Sequence, residues 1–161
     1  MSVATTQGVS LTGLEGEIVQ IEVDVSKGFP GYQLLGLPDA ALNESRDRIR
    51  SAINNSGKKW PQTKVTVSLS PAWLPKSGSG FDLPISIAIL SATDQVAQKN
   101  FDKTIFIGEL SLDGALRPVR GVLPMLISAA KHGMKRAIVP EQNFHEANLV
   151  SDISVTAASS L

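Results

Sequence analysis

The segment spanning residues 83–92 is apolar at nearly every position. A helix with so few polar side chains has no face to present to water, so other elements must cover it on most sides. Pro84 is tolerated as its second residue because the N–H groups of a first helical turn have no intrahelical partner. The sequence therefore predicts a central, buried helix around which the rest of the chain packs.

Two further segments alternate between apolar and polar residues, which is the pattern of half-buried β-strands. Residues 17–25 alternate after their first steps, and residues 64–69 place Val65, Val67 and Leu69 on one face. The sequence therefore predicts two strands that each bury one face against the core.

Turn residues predict how the strands are connected. Residues 28–31 read Gly-Phe-Pro-Gly, so we expect residues 32–36 to form a short strand that returns beside the preceding one as a hairpin. A second hairpin is predicted where Asp113 and Gly114 separate the apolar run 104–110 from residues 115–118.

Helices are predicted between these strands. Asp39 can accept hydrogen bonds from a first helical turn, and no glycine or proline follows until Gly57, which predicts one helix. Its apolar face would consist of Leu42, Ile49, Ala52 and Ile53. Later helices are predicted for residues 122–132 and 141–149, and later strands for residues 136–140 and 153–156. This mixture indicates helices packed on a sheet, in an α/β or α+β domain.

The composition excludes several kinds of chemistry. The chain has 161 residues, which suits one domain, and it has no cysteine and only two histidines, His132 and His145. Disulfides, thiolate nucleophiles and cysteine-based metal sites are therefore excluded, and we expect no metal in this domain. The chain lacks the pattern of an export signal and any apolar run near about 18 residues, so we expect a cytoplasmic protein without a membrane partner.

Nucleotide-binding motifs are also missing. The pair Gly57-Lys58 is followed by Lys59 rather than by a hydroxyl residue, so it does not fit a phosphate loop. Residues 78–80, Gly-Ser-Gly, precede the buried helix but lack the third glycine of a dinucleotide fingerprint. We therefore expect no cofactor in this domain.

The charges are balanced overall but unevenly distributed. Residues 46–76 hold seven basic residues and one acidic residue. Arg46 and Arg50 share a helix face, so this segment is expected to contact DNA phosphates or a neighbouring subunit, or simply to be solvated. The candidate contact residues are Arg46, Arg48, Arg50, Lys58, Lys59 and Lys64. Aromatic residues make up only 5% of the chain, which favours weak, sequence-independent phosphate contacts over base stacking.

Four ordered motifs resemble one protein family. They are GFPGYQLLGLP at residues 28–38, ESRDRIRSAI at 44–53, PAWLPKSGSGFDLP at 71–84 and GELSLDGALRPVRG at 108–121. Together they resemble the N-terminal domain of the YifB/ComM family of bacterial magnesium-chelatase-like AAA+ ATPases. The resemblance covers nearly all of the chain.

This family domain is similar in fold to the proteolytic domain of Lon and to the C-terminal domain of the recombination ATPase RadA. The resemblance implies an α+β two-layer sandwich with a left-handed β-α-β crossover, against the usual right-handed preference. It also implies that residues 1–161 form a single Lon-protease-like domain. An AAA+ module that binds ATP and Mg would follow residue 161, and the whole protein would form a homo-oligomer, a hexameric ring.

The resemblance to Lon also locates the positions of its catalytic dyad. The position of the Lon nucleophile, counted from Lys76, is occupied here by Gly80, and the position of the Lon lysine is occupied by Leu123. A serine hydroxyl needs an adjacent base to act as a nucleophile, so this loss predicts a domain without peptidase activity. A register-shifted pair of Ser79 and Lys131 stays as an alternative. The loop residues Lys76, Gly78, Gly80 and Asp82 are predicted to be structural, with Asp82 capping the buried helix.

The resemblance implies a non-catalytic accessory domain of a DNA helicase that acts in branch migration during natural transformation. The domain would guide DNA or help to assemble the ring. Two alternatives stay open, an oligomerisation module without nucleic-acid contact and a residual serine–lysine peptidase.

Overall fold

The computed structural model describes residues 3–97 and 101–161, which form an α+β arrangement. The strands are β1 (Val3–Thr12), β2 (Glu15–Ser26), β3 (Gly31–Leu35), β4 (Lys64–Ser70), β5 (Thr104–Phe106), β6 (Glu109–Leu110), β7 (Leu116–Arg117), β8 (Arg136–Pro140) and β9 (Ser154–Ala158). The helices are α1 (Ala40–Asn43), α2 (Ser45–Asn55), α3 (Asp82–Ala92), α4 (Val122–Lys131) and α5 (Phe144–Ala147), with a 3₁₀ turn at Glu141–Asn143.

The largest sheet has the strand order β1-β2-β4-β3. Strand β2 pairs antiparallel with both β1 and β4, whereas β3 pairs in parallel with β4. The hairpin predicted between β2 and β3 is therefore wrong. Gly28 (φ 136°) turns the chain as expected. However, the strand that pairs with β2 is β4, and β3 is the edge strand on the far side of β4.

Strands β3 and β4 and the helices between them form a β-α-β unit, whose left-handed sense stays a prediction. Asp39 caps α1 as predicted, since its Oδ1 accepts the Leu42 N–H at 2.8 Å. The single helix predicted up to Gly57 is interrupted at Glu44 and divides into α1 and α2. The predicted apolar face is confirmed, because Leu42, Ile49, Ala52 and Ile53 are all fully buried.

A second sheet pairs β5, β8 and β9 in parallel, and β6 pairs antiparallel with β7. The hairpin predicted at Asp113 and Gly114 is confirmed, with Gly114 at φ 94°. The predicted helix at residues 141–149 is shorter than expected, since it consists of a 3₁₀ turn followed by α5.

Helix α3 is buried on almost every side, as its apolar sequence predicts. It contacts β1 and β2 and also α2, β5 and β6. It shares one hydrophobic cluster with α2, β2 and β4, and another cluster gathers α4 with β5 and β8. Within the described residues, no helix has the length and apolar character needed to cross a lipid bilayer.

The chain passes very close to itself where β3 ends. Gly36 has φ 109°, and a Cβ built there would lie 2.2 Å from the carbonyl oxygen of Leu69 in β4. A side chain at this position would therefore displace the backbone of the neighbouring strand.

We predict that Gly36→Ala destabilises the protein more than Gly133→Ala. Gly133 also has a positive φ, 85°, but a Cβ there meets nothing within 4 Å, so its replacement should cost about 1–2 kcal/mol. Gly36→Ala should lose about 1–3 kcal/mol beyond that because the strand backbone must move. The measurement is the free energy of unfolding from urea titrations, and equal losses would contradict the prediction.

Candidate functional site

Two exposed arginines line one shallow depression, and three exposed lysines follow them in the chain. Arg46 and Arg50 lie one turn apart on α2 and line this depression of about 190 Å³ together with Tyr32 and Trp60. The basic face, as we call it, consists of Arg46, Arg50, Lys58, Lys59 and Lys64, all of them exposed. Of the six contact residues predicted from the sequence, Arg46 and Arg50 line the depression, while Lys59 and Lys64 flank the segment 60–63 that lines it from the other side.

Hydrogen bonds hold the loop that carries Lys58, Lys59 and Trp60. The Lys59 N–H donates to Gln95 Oε1, and Gln95 Nε2 donates to the Lys59 carbonyl, both at 2.9 Å. The Trp60 N–H donates to Asn54 Oδ1 at 3.3 Å. The indole of Trp60 also packs against the core, so its position is set by both its main chain and its ring.

The basic face has little acidic compensation. Arg46 Nε lies 3.3 Å from Asp47 Oδ1, and both side chains are more than half exposed. In residues 3–97 and 101–161, no salt bridge involves Arg50 or the three lysines of the face. An exposed pair such as Arg46 with Asp47 is weak, so the positive charge of this surface remains available to an anion.

Arg48 points in the opposite direction. Its Nε and Nη2 donate to the Asp82 carboxylate at 2.7 and 3.0 Å, and Nη2 also donates to the Ala41 carbonyl at 3.0 Å. Its side chain is only 19% exposed. The structure therefore removes Arg48 from the predicted contact surface and gives it a structural position.

Asp82 does not cap α3, and the cap predicted from the sequence is wrong. The N-cap residue is Phe81, and Asp82 is the first helical residue. Its carboxylate instead receives Arg48 and the Leu110 N–H, the latter at 3.1 Å. Burial raises the pKa of Asp82 from 3.8 to about 6, while Arg48 and the Leu110 N–H oppose this shift. Asp82 is thus mostly ionised at neutral pH and faces a permanent cation.

Hydrogen bonds to residues 37–39 hold the loop before α3. The Lys76 N–H donates to the Leu37 carbonyl at 3.0 Å, and the Asp39 N–H donates to the Lys76 carbonyl at 2.9 Å. Gly78, at φ 92°, donates its N–H to Asp39 Oδ2 at 3.1 Å. These contacts support the structural role that the sequence predicts for this loop.

Lys76 is buried in this loop to 1% exposure. Its ammonium donates to the Pro71 carbonyl, and burial lowers the pKa of the amine. A buried ammonium next to a carbonyl and away from solvent cannot take part in an exposed contact.

A larger cavity of about 400 Å³ lies beside Gly80, the position of the Lon nucleophile. Gly80 and Ser79 line it, as do Glu109 and Arg120, together with apolar side chains from β1 and α4. Ser79 Oγ donates a hydrogen bond to Glu109 Oε2. A Cβ at Gly80 would approach Val119 Cγ1 to 3.3 Å, so even a small side chain would crowd this wall.

The cavity does not gather the residues of either possible dyad. Leu123 and Lys131 line a different depression, of about 330 Å³, along the outer side of α4. Ser79 and Gly80 thus line one cavity, whereas Leu123 and Lys131 line the other. Among the described residues, no group of three or more histidine, aspartate or glutamate side chains is placed to bind a metal ion.

Aromatic residues at the surface are the feature that the sequence analysis missed. Phe29 is 94% exposed and Trp73 is 72% exposed, and Trp60 lines the depression of the basic face. The signal was present in the sequence, since Trp60 directly follows Lys58 and Lys59. A low overall aromatic content does not show where the few aromatic residues lie.

We predict that Asp82→Ala lowers stability far more than loss of a helix cap would. The substitution removes two short charged hydrogen bonds from Arg48, which is 19% exposed and keeps Glu44 Oε2 at 3.8 Å, and it leaves the buried Leu110 N–H without its acceptor. The expected cost is about 3 kcal/mol. Asp47→Ala, which breaks the exposed pair with Arg46, is the matched control and should cost about 1 kcal/mol or less. Urea unfolding of both variants measures the difference, and similar losses would contradict a stabilising role of the buried pair.

Comparison with known proteins identifies relatives of this chain. Residues 21–143 match the family model described as subunit ChlI of Mg-chelatase. The competence protein ComM of Haemophilus influenzae is 43% identical over 161 residues, which cover 100% of this chain and 31% of ComM. The uncharacterized protein YifB of Escherichia coli is 42% identical over 151 residues, which cover 94% of this chain and 30% of YifB. The chain thus spans about a third of the length of these curated relatives.

Lon proteases are more distant relatives. A Lon protease of Trichlorobacter lovleyi is 26% identical over 148 residues, which cover 88% of this chain and 18% of that protease. Together with the mixed sheets and helices of the structure, this match confirms the predicted Lon-protease-like α+β fold. Since the family model covers most of the chain and the similarity to ComM extends over all of it, the chain belongs to the magnesium-chelatase-like family of ComM and YifB.

Proposed function

We propose that this chain is a non-catalytic accessory domain of an ATP-driven DNA-remodelling protein and that its basic face contacts DNA. The observation that carries the proposal is the basic face itself, with five exposed cations within residues 46–64 of a chain whose total charge is zero, two of which line one depression. Asp47 is the single acidic residue within residues 46–76, so little competes with an external anion for these charges.

The mode of contact follows from the chemistry of the face. Arginine and lysine neutralise phosphates and release counterions, and such contacts are strong in low salt and carry no sequence information. Arg46 and Arg50 present two guanidinium groups on one helix face, where both can reach a single phosphate backbone. Binding by the domain is therefore weak, independent of sequence and dependent on salt.

The cavity near α3 supports the non-catalytic part of the proposal. Gly80 and Leu123 stand at the dyad positions implied by the resemblance to Lon, and neither side chain can act as a nucleophile or a base. Ser79 donates to Glu109, and Lys131 lines another depression, so the geometry gives no support to the shifted pair.

The rest of the proposal concerns the longer protein. An AAA+ module outside this chain would bind ATP and Mg and form a cytoplasmic hexameric ring, as the family resemblance implies. The name of the Haemophilus relative, a competence protein, supports a role in natural transformation, and we propose branch migration of DNA as the reaction. This domain would guide DNA towards that ring.

We predict that DNA binding by the 161-residue chain weakens with salt and that this dependence requires Arg46 and Arg50. About four phosphate contacts give a log–log slope near −3.6 on duplex DNA, and Arg46→Gln with Arg50→Gln should flatten it by about 1.8. Fluorescence anisotropy of a labelled duplex at several salt concentrations measures the slope. Arg117→Gln with Lys135→Gln makes the same charge change at exposed positions outside the basic face, and the slope should then stay unchanged.

Two results would contradict the proposal. Equal slopes for both double variants would show that the basic face is not the contact surface, and a complete lack of DNA binding at low salt would exclude DNA as its partner. If the same substitutions in the longer protein leave DNA binding intact but prevent ring formation, the face serves subunit assembly instead.

A further inference from the structure

The depression of the basic face combines cationic and aromatic side chains. Arg46 and Arg50 line it from α2, while Trp60 and Tyr32 line it from a loop and from β3. The two rings lie 5.9 Å apart between centroids and are tilted by 35°. Its volume of about 190 Å³ is below the range of sites for drug-sized ligands, about 300–1,000 Å³, so the depression suits one small planar group.

The geometry points to a site for one unstacked nucleotide of single-stranded DNA, with its base on Trp60 and its phosphates on Arg46 and Arg50. This inference deepens the proposed function and rests on it, since it names the form of DNA that the basic face takes. Base–aromatic stacking beside a basic groove is the usual way in which proteins bind single strands without reading their sequence.

A duplex cannot use this depression in the same way. The bases of duplex DNA are stacked on one another, so a base reaches a protein ring only after it has been unstacked, which costs free energy. In a single strand, bases turn outward at little cost and meet aromatic side chains. The aromatic side chains of the depression therefore favour single-stranded DNA. The lysines of the basic face can contact the phosphates of single-stranded and duplex DNA alike.

Hydrogen bonds and packing against the core hold the lining of the depression in place. The main-chain N–H of Trp60 donates to Asn54 Oδ1 at 3.3 Å. The side-chain amide of Gln95 is hydrogen-bonded to both the N–H and the carbonyl of the preceding residue, Lys59. The rings of Trp60 and Tyr32 both pack against the core. A binding surface that is already ordered loses little conformational entropy on association, which raises affinity.

A third aromatic residue lies next to this surface in the chain. Phe29 is 94% exposed, and Pro30, the next residue, lines the depression. Lys64 is the Cα partner of Gly31, which also lines the depression, so another cation lies beside the rim. A strand whose base occupies the depression therefore meets both a further ring and a further charge.

The fluorescence of Trp60 tests this inference directly. The chain has two tryptophans, so Trp73→Phe leaves Trp60 as the single indole and Trp60→Phe leaves Trp73. We expect titration of Trp73→Phe with an oligodeoxythymidylate at low salt to quench its emission, because a base stacks on the indole. The matched variant Trp60→Phe, whose remaining indole is 72% exposed away from the depression, should show no quenching.

An abasic oligonucleotide of the same length provides a second measurement that needs no substitution at the site. It offers the same phosphates without bases, so its affinity for the unmodified chain should be about 5- to 150-fold lower, the equivalent of stacking one base. A hairpin duplex of matched charge should also bind more weakly than the oligodeoxythymidylate.

The outcomes separate this inference from the proposed function. Binding that leaves Trp60 emission unchanged, or equal affinities for normal, abasic and duplex DNA, would overturn the nucleotide site and leave phosphate contact by the basic face intact. An absence of binding to every DNA form at low salt would overturn the proposed function, and this inference with it.

Discussion

The ion pair between Arg48 and Asp82 connects the helix that carries the basic face to the helix at the centre of the core. Arg48 lies on α2, Asp82 begins α3, and the same carboxylate receives the N–H of Leu110 from β6. Three elements thus converge on one fully buried carboxylate. Successive helical residues are 100° apart, so residues two positions from Arg48 lie on nearly the opposite side of α2. Turning Arg48 inward therefore turns Arg46 and Arg50 outward, and the buried contact determines which arginines can meet a partner.

The domain has the fold of the Lon-protease domain, but different side chains stand at the positions of the Lon dyad. Hydrogen bonds of Lys76, Gly78 and Asp39 hold the loop before α3, and a cavity lies beside this loop. In that cavity Ser79 faces a carboxylate, and Lys131 lines a separate depression. A fold by itself does not carry a reaction, because packing depends on shape and burial, whereas catalysis depends on a few side chains at exact positions. The depression at α2 combines two exposed arginines with two aromatic rings, which the cavity beside α3 does not.

Much of the architecture could be predicted from local patterns. The alternation in β2 and β4, the apolar sequence of α3, the cap at Asp39 and the turn at Gly114 all appear in the structure as expected. Each of these features depends on interactions within a few residues or on the simple division between buried and exposed faces. The basic face was predicted for the same reason, since its arginines recur at helical spacing and its lysines follow directly.

The sequence by itself determined most of the helices and strands, the faces that they bury and the family to which the chain belongs. Only the tertiary structure decided that β3 pairs with β4 rather than β2, since strand partners are chosen by long-range packing. The same is true of Asp82, whose short distance from the start of α3 suggested a cap although Arg48, 34 residues away, receives its carboxylate. The grouping of Trp60 with Arg46 and Arg50 is also a tertiary result, because a loop and a helix bring together side chains that no local pattern relates.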